Sequence, residues 1–299
     1  MGDGRRDGGT VTLLGPAEVR ELAERLGVSP TKKLGQNFVI DPNTVRMIVR
    51  RAGVTAADRV LEIGPGLGSL TLGLTETGAQ VTAVEIDPRL AEELPRTVAV
   101  MQPEAADRFR VILADAMEVR RDQLVPPGAA DDAPTVLVAN LPYNVSVPIL
   151  IHLLDVLPEL TSGLVMVQSE AGVRIAAPPG SREVGVPSAK AAWYGEWSLA
   201  GQVSRRIFWP VPNVDSVLVA YRRRAEPLGT ESERAQTFEL VNAAFAQRRK
   251  MLRQSLQPVL GDLAATTAVL TAAGVDPTAR AEQLGVETYL AVARAAAQA

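Results

Sequence analysis

The chain has 299 residues, 46% of them hydrophobic and 22% charged, with a formal net charge of −3. That length suggests about two domains with core enough to fold unaided, and the composition excludes a wholly disordered chain. With no cysteine and one histidine, His152, the chain has no means to build disulfides, thiol nucleophiles, iron–sulfur clusters or a Cys- or His-rich metal centre, and no metal is expected. Nucleic-acid binders usually carry a basic excess, so such a role would have to rest on local basic patches. No run approaches the roughly 18 apolar residues of a membrane span. Residues 1–10 have no apolar core of the secretory kind. A cytoplasmic protein without a membrane partner is expected.

In chain order, residues 1–10 read as a flexible tail and 16–27 as a short helix stopped by Gly27. Asp41-Pro42 opens a second helix, which Gly53 ends. Strands then alternate with helices. Strands are expected at 59–63, 80–86, 110–114, 135–139 and 163–167, a helix at 148–157 and a later strand at 216–221. This alternation predicts an α/β fold, a parallel sheet covered on both faces. After Arg224 the chain is rich in Ala, Leu, Gln and Arg and has no strand-like run, which predicts helices at 231–256, 262–273 and 286–297. The expected organisation is a tail and short helix over 1–30, an α/β domain over 31–224 and a smaller helical domain over 225–299.

The sharpest local signal is Gly64-Pro65-Gly66-Leu67-Gly68 between a strand and a helix. Glycines there let the backbone turn sharply and approach a ligand, and ligands of open α/β sheets bind at the carboxyl ends of strands. Glu85 ends the next strand, 21 positions after Gly64, a spacing at which an acid accepts hydrogen bonds from ribose hydroxyls. A dinucleotide loop has its third glycine one residue later, and Pro65 removes an amide that a pyrophosphate would use. A ligand with a ribose and no phosphate fits better, and S-adenosylmethionine is such a ligand. Asp115 ends the third strand, placed either to accept from the adenine amino group of that cofactor or to cap a helix.

Asn140-Leu141-Pro142-Tyr143 closes the fourth strand. The lone pair of an exocyclic amino group is delocalised into its ring, which makes it a poor nucleophile. Two acceptors, the Asn140 side chain and the Leu141 carbonyl, can bind both amino hydrogens and hold the nitrogen pyramidal, its lone pair aimed at a sulfonium methyl. Tyr143 offers a flat face for the base. Such positioning and electrostatics need no strong base. As a competing interpretation, Asn and Pro are also common turn formers.

Taken together, these residues resemble the adenine N6,N6-dimethyltransferases of small-subunit ribosomal RNA. Lys33-Leu34-Gly35-Gln36-Asn37-Phe38 is similar to the family's N-terminal motif. Glu62 to Gly68, Glu85, Asp115-Ala116 and Asn140 to Tyr143 follow in the family's order. Arg206 to Pro212 with Asn213-Val214-Asp215-Ser216 resembles its late motif, and Phe245 to Lys250 its helical signature. The resemblance runs from about Lys32 to the C-terminus. It implies a Rossmann-like, seven-stranded methyltransferase domain followed by a helical one. The implied reaction is the transfer of two methyls from S-adenosylmethionine to each of two adjacent adenosines near the 3′ end of 16S rRNA. The implied cofactor contacts are Asn37, the Val39 backbone, Gly64, Gly66, Glu85, Asp115 and Asn140. The catalytic set is Asn140, Leu141 and Tyr143, with Phe208 of the late motif stacking on the target adenine opposite Tyr143. The base would be flipped out of its stack. Ser169 and Val184 depart from the family, where Lys and Tyr are usual.

The expected partner is 16S rRNA in an immature small ribosomal subunit, met by a monomer. Phosphate contacts are expected from Lys32, Lys33, Arg206, Arg248, Lys250 and Arg253. On a helix running through 256, Arg249 falls on the apolar stripe of Phe238, Val241, Phe245 and Leu252, which predicts that it docks the helical domain through a carboxylate. His152 reads as a helix histidine with a local partner. Two other interpretations compete: a large-subunit 23S rRNA methylase of the macrolide-resistance type, and a non-enzymatic RNA-binding assembly factor. The loop spacing disfavours a nicotinamide oxidoreductase.

Overall fold

The computed structural model describes residues 12–28, 37–125, 128 and 132–299. In chain order the first half comprises α1 (Pro16–Arg25), β1 (Phe38–Val39), α2 (Pro42–Ala52), β2 (Arg59–Ile63), α3 (Ser69–Thr75), β3 (Gln80–Glu85), α4 (Pro88–Met101), β4 (Phe109–Leu113), α5 (Arg121–Leu124) and β5 (Val136–Asn140). Then follow α6 (Ser146–Val156), β6 (Ser162–Gln168), α7 (Ser169–Ile175), α8 (Val186–Tyr194), β7 (Gly195–Val203), β8 (Phe208–Trp209) and β9 (Ser216–Arg223). The last part is helical: α9 (Glu231–Ala246), α10 (Leu252–Ser255), α11 (Gln257–Leu260), α12 (Leu263–Ala272) and α13 (Val286–Ala296).

Among the described residues, seven strands form one sheet in the order β4-β3-β2-β5-β6-β9-β7. The five strands from β4 to β6 are parallel, as the alternation predicts. β9 enters antiparallel to both β6 and β7, so the sheet is mixed rather than wholly parallel. Strand residues alternate between two cores. Val136, Val138, Leu164 and Met166 join the cluster beneath α2 and α3, while Leu137, Ala139, Val165 and Val167 join the one beneath α6. With both faces buried, a slip of one residue would exchange the two sets, so the register is strongly specified. A two-stranded ribbon, β1 against β8, sets Phe38 opposite Trp209 and Val39 opposite Phe208.

Local chemistry sets the helix ends. Asp41 Oδ2 accepts from the Thr44 amide at 2.9 Å at the start of α2, and Gly53 at φ 69° ends it. Thr230 and Glu233 form a reciprocal capping box at the start of α9. The short helix expected over 16–27 is α1. α1 buries Val19, Leu22 and Ala23 in the same core as Leu13 and Leu14, and Arg25 pairs with Glu93 on α4 at 2.6 Å. Residues 1–11 lie outside the described part.

The single helix expected over 231–256 is corrected. α9 stops at Ala246, and a turn closed by the Lys250 amide on the Gln247 carbonyl leads into α10. The Leu252 and Arg253 amides are taken by the carbonyls of Ala279 and Pro277, which pulls Leu252 and Leu256 into the helical core. The break moves Arg249 off the apolar stripe and leaves it exposed, with no ion pair among the described residues, so it does not dock the helical region. Arg234 does. Its guanidinium lies 3.1 Å from Asp155 on α6 and donates to the Tyr194 hydroxyl at 3.1 Å. Leu154, Trp193, Tyr194 and Tyr221 share one apolar cluster with Phe238, Val286 and Leu290 at the same junction.

Candidate active site

A cavity of about 280 Å³ opens at the carboxyl ends of β2, β3 and β5 and in the loop after β4. Its floor is the loop 64–68, where Gly64, Gly66 and Gly68 have φ of 64°, 59° and 95°. These are left-handed conformations that a side chain strains. Space is short as well. A Cβ on Gly66 would lie 2.9 Å from Phe38 Cε1, and one on Gly68 would lie 2.6 Å from Leu94 Cδ1. A Cβ on Gly64 would reach within 3.9 Å of Pro142 Cδ, so the glycine loop and the loop after β5 all but touch.

Three acids ring this floor. Glu85 Oε1 accepts the amides of Ile86 and Asp87, each at 2.9 Å, and Oε2 accepts the Gly66 amide at 3.1 Å. Burial pushes its pKa up against the pull of those three donors. An ionised carboxylate has about four lone-pair positions, so Oε2 keeps one for a ligand hydroxyl. Asp115 Oδ1 accepts the Met117 amide at 2.8 Å within a turn at 116–118, so no helix follows for it to cap, and its second oxygen remains on a residue that lines the cavity. Glu62 is fully buried, its Oε2 accepting from the Thr71 hydroxyl at 2.7 Å, and burial raises its pKa to about 8. Burial thus favours its neutral form.

Asn140 ends β5, and its Nδ2 donates to the Asn37 carbonyl at 3.0 Å. That bond settles which way the amide faces and leaves Oδ1 as an acceptor. The Leu141 amide is taken by the Met166 carbonyl at 3.0 Å, while its own carbonyl receives no donor among the described residues. Two acceptors from consecutive residues therefore stand at the cavity. Tyr143 also lines it, with its hydroxyl 2.7 Å from Ser216 Oγ.

The structure thus brings Asn37, Val39, Gly64, Gly66, Glu85, Asp115, Asn140, Leu141 and Tyr143 around one cavity. It does not bring Phe208 there. On the ribbon strand β8 that side chain faces inward, 1% exposed in the core, and the stacking position expected for it is corrected. Phe38, stacked on Trp209 at 6.3 Å between centroids, is the ring of the ribbon that lines the cavity. Ile86 and Met117 also line it although 54% and 43% exposed, an apolar slot suited to a flat ring. Motif spacing points to neither; Glu62 falls within the glycine-loop motif, with no role expected of it. For Ile86 the available signal is a large aliphatic residue directly after a strand-ending acid; Met117, two positions after Asp115, carries no such signal.

Of the residues expected to meet phosphates, Lys32 and Lys33 lie outside the described residues. Arg206 and Lys250 are exposed and Arg253 is half-buried. Arg248 is engaged within the protein, donating to the Arg182 carbonyl at 2.7 Å and lying 3.6 Å from Glu282. His152 Nε2 lies 2.8 Å from the Val119 carbonyl, the local partner expected of it.

A mixed seven-stranded sheet with a glycine floor, an acid at the next strand tip and paired acceptors at the fourth defines a Rossmann-like methyltransferase dependent on S-adenosylmethionine. The family model described as ribosomal RNA adenine dimethylase matches residues 28–298, and the chain belongs to that family. It is 62% identical to the ribosomal RNA small subunit methyltransferase A of Leifsonia xyli subsp. xyli over 94% of this chain and 98% of that one. To the protein of the same name from Streptomyces coelicolor it is 57% identical, over 94% and 96%. Among solved structures, the 23S rRNA methyltransferase ErmE aligns with a TM-score of 0.61 at 28% identity, over 88% of this chain and all of that one. A dimethyladenosine transferase from Plasmodium falciparum shares the fold at a TM-score of 0.71 and 22% identity, over 85% and 95%. No helix among the described residues is long and apolar enough to cross a membrane.

Proposed function

We propose that the chain methylates the N6 amino groups of two adjacent adenosines near the 3′ end of 16S rRNA, two methyls on each, during assembly of the small ribosomal subunit. The observation that carries this reading is the pairing of Asn140 Oδ1 with the free Leu141 carbonyl at the edge of the cavity. An NH2 group on a purine has two hydrogens to donate, and these acceptors are its complement.

The residues present fit S-adenosylmethionine. The floor has no room for a side chain at Gly66 or Gly68, Glu85 keeps a lone pair for a ribose hydroxyl, Asp115 has an acceptor for an adenine amino group, and Ile86 and Met117 can cover the ring. Bound there, the cofactor supplies a methyl group on a positively charged sulfur. Asn37 holds the Asn140 amide so that Oδ1 meets one amino hydrogen, while the Leu141 carbonyl meets the other. For the first methyl the nitrogen is gripped at both hydrogens, becomes pyramidal and directs its lone pair into the cavity; for the second, its one remaining hydrogen is held by one of the two acceptors. Tyr143 takes the face of the extruded base. Neither acceptor is a strong base, so the displaced proton passes to water, and the rate comes from orientation and fixed dipoles.

The 23S-type activity is the second reading. Identity of 62% to a small-subunit enzyme against 28% to a large-subunit one favours the first. The chain works as a monomer in the cytoplasm on an immature subunit, and Arg206, Lys250 and Arg253 meet RNA phosphates. Incubation with labelled S-adenosylmethionine and immature small or large subunits, followed by mapping of the modified nucleotide, tests the reading. Label on two neighbouring adenosines of small-subunit RNA is expected; label confined to large-subunit RNA would overturn it.

A further inference from the structure

Tyr143 lines the cavity from a loop, yet its hydroxyl is tied to a strand paired on both sides in the sheet. Ser216, 2.7 Å away, is the first residue of β9 and is 0% exposed. It stands in register with Gln168 at the end of β6 and Val203 at the end of β7, so a strand tip on each side flanks its backbone. The preceding residue is fixed as well. The Asp215 carbonyl accepts the Ser169 amide at 2.9 Å, and its carboxylate pairs with Arg205 at 2.9 Å. A ring that only filled space would need no hydroxyl, and a half-buried phenol could be satisfied by water. Here the hydroxyl is spent on a side chain 73 positions along the chain. With both ends of the side chain held, its χ angles cannot change without breaking that bond.

We propose that Ser216 is a positioning residue for methyl transfer: its hydroxyl fixes the Tyr143 ring at the angle at which an extruded adenine stacks on it. Through this contact the late motif acts on the base while Phe208 stays in the core. The inference rests on the adenosine reading above, and its test separates the two.

The full-length protein is assayed on immature small subunits as wild type, Ser216→Ala, Ser216→Thr, Tyr143→Phe and the Ser216→Ala/Tyr143→Phe double variant. Each single loss of the bond should lower kcat about three- to ten-fold, the scale of one hydrogen bond. The double variant should be no slower than either single one, since both remove the same contact. Ser216→Thr should recover most of the rate. Binding of S-adenosylhomocysteine, measured by calorimetry, should be unchanged throughout. Losses that multiply in the double variant, or a kcat at the wild-type value in Tyr143→Phe, would overturn the proposal. Tyr143→Phe keeps the test decisive should Ser216→Ala fail to fold. Wild-type enzyme that labels no adenosine would defeat the functional reading itself; wild-type labelling without coupling would defeat only this inference.

Discussion

The two walls of the cavity are built over very different stretches of chain. On the cofactor side, Glu85 takes amides one and two positions ahead of it and one from Gly66, 19 positions back, while Asp115 takes an amide two positions on. On the base side, the Asn140 amide is set by the Asn37 carbonyl 103 positions away and the Tyr143 hydroxyl by Ser216. Short loops at strand tips can form one wall as soon as the parallel strands pair. The other exists only when the N-terminal segment, the β5 loop and β9 have all come together. The cofactor wall takes its shape from backbone donors, which substitution rarely removes, whereas the base wall hangs on the Asn140 and Tyr143 side chains, which a single change deletes, beside the backbone carbonyl of Leu141. Damage to the first should therefore read out as affinity for the small molecule, and damage to the second as turnover.

Asn140→Ala would break that division most sharply. It removes one of two acceptors aimed at the reacting amino group, and single-turnover methyl transfer should fall by about 10²–10³-fold, the range for loss of one preorganised group. Filter binding should show most of the RNA affinity retained. Glu85→Ala probes the opposite wall. S-adenosylhomocysteine affinity measured by calorimetry should weaken about ten- to hundred-fold, the range for a hydrogen bond to a charged group, with much smaller change in turnover at saturating cofactor. Loss of turnover at saturation would mean that the two walls are not separable. The smallest effect concerns the floor. Glu62 has its folded pKa raised to about 8 by burial, above its unfolded value of 4.5. Stability from that group is complete below about 4.5 and is lost as pH climbs through about 8, because unfolding then releases a proton. Thermal melting should show the Tm declining over that window, and Glu62→Gln should flatten the decline.

The same contrast explains what could be read from the chain. The glycine loop, Glu85 and Asp115 are local patterns, and the Asp41 cap and Gly53 stop bracket α2 as expected. Motif position does not say which face of a two-residue strand meets the core, so it does not reveal that Phe208 faces inward. β7 has no clear signature in the sequence because it is an edge strand with much of its length facing solvent, and a register shift between Leu199 and Gly201 spoils the alternation. The break after Ala246 carries no Gly or Pro. Gln247 to Lys250 are good helix formers, and the turn there comes from the carbonyls of Pro277 and Ala279, which capture the amides that follow. Ser216 gave no signal, since a serine at a strand start says nothing about a tyrosine 73 residues earlier.

The central claim, that two acceptors grip the amino group of an extruded adenine, is tested most directly by a crystal structure with S-adenosylhomocysteine and adenosine bound. The account requires N6 within hydrogen-bonding distance of both Asn140 Oδ1 and the Leu141 carbonyl, with the ring on Tyr143. An adenosine whose N6 faces elsewhere, or an Asn140 turned so that Nδ2 meets the base, would contradict it.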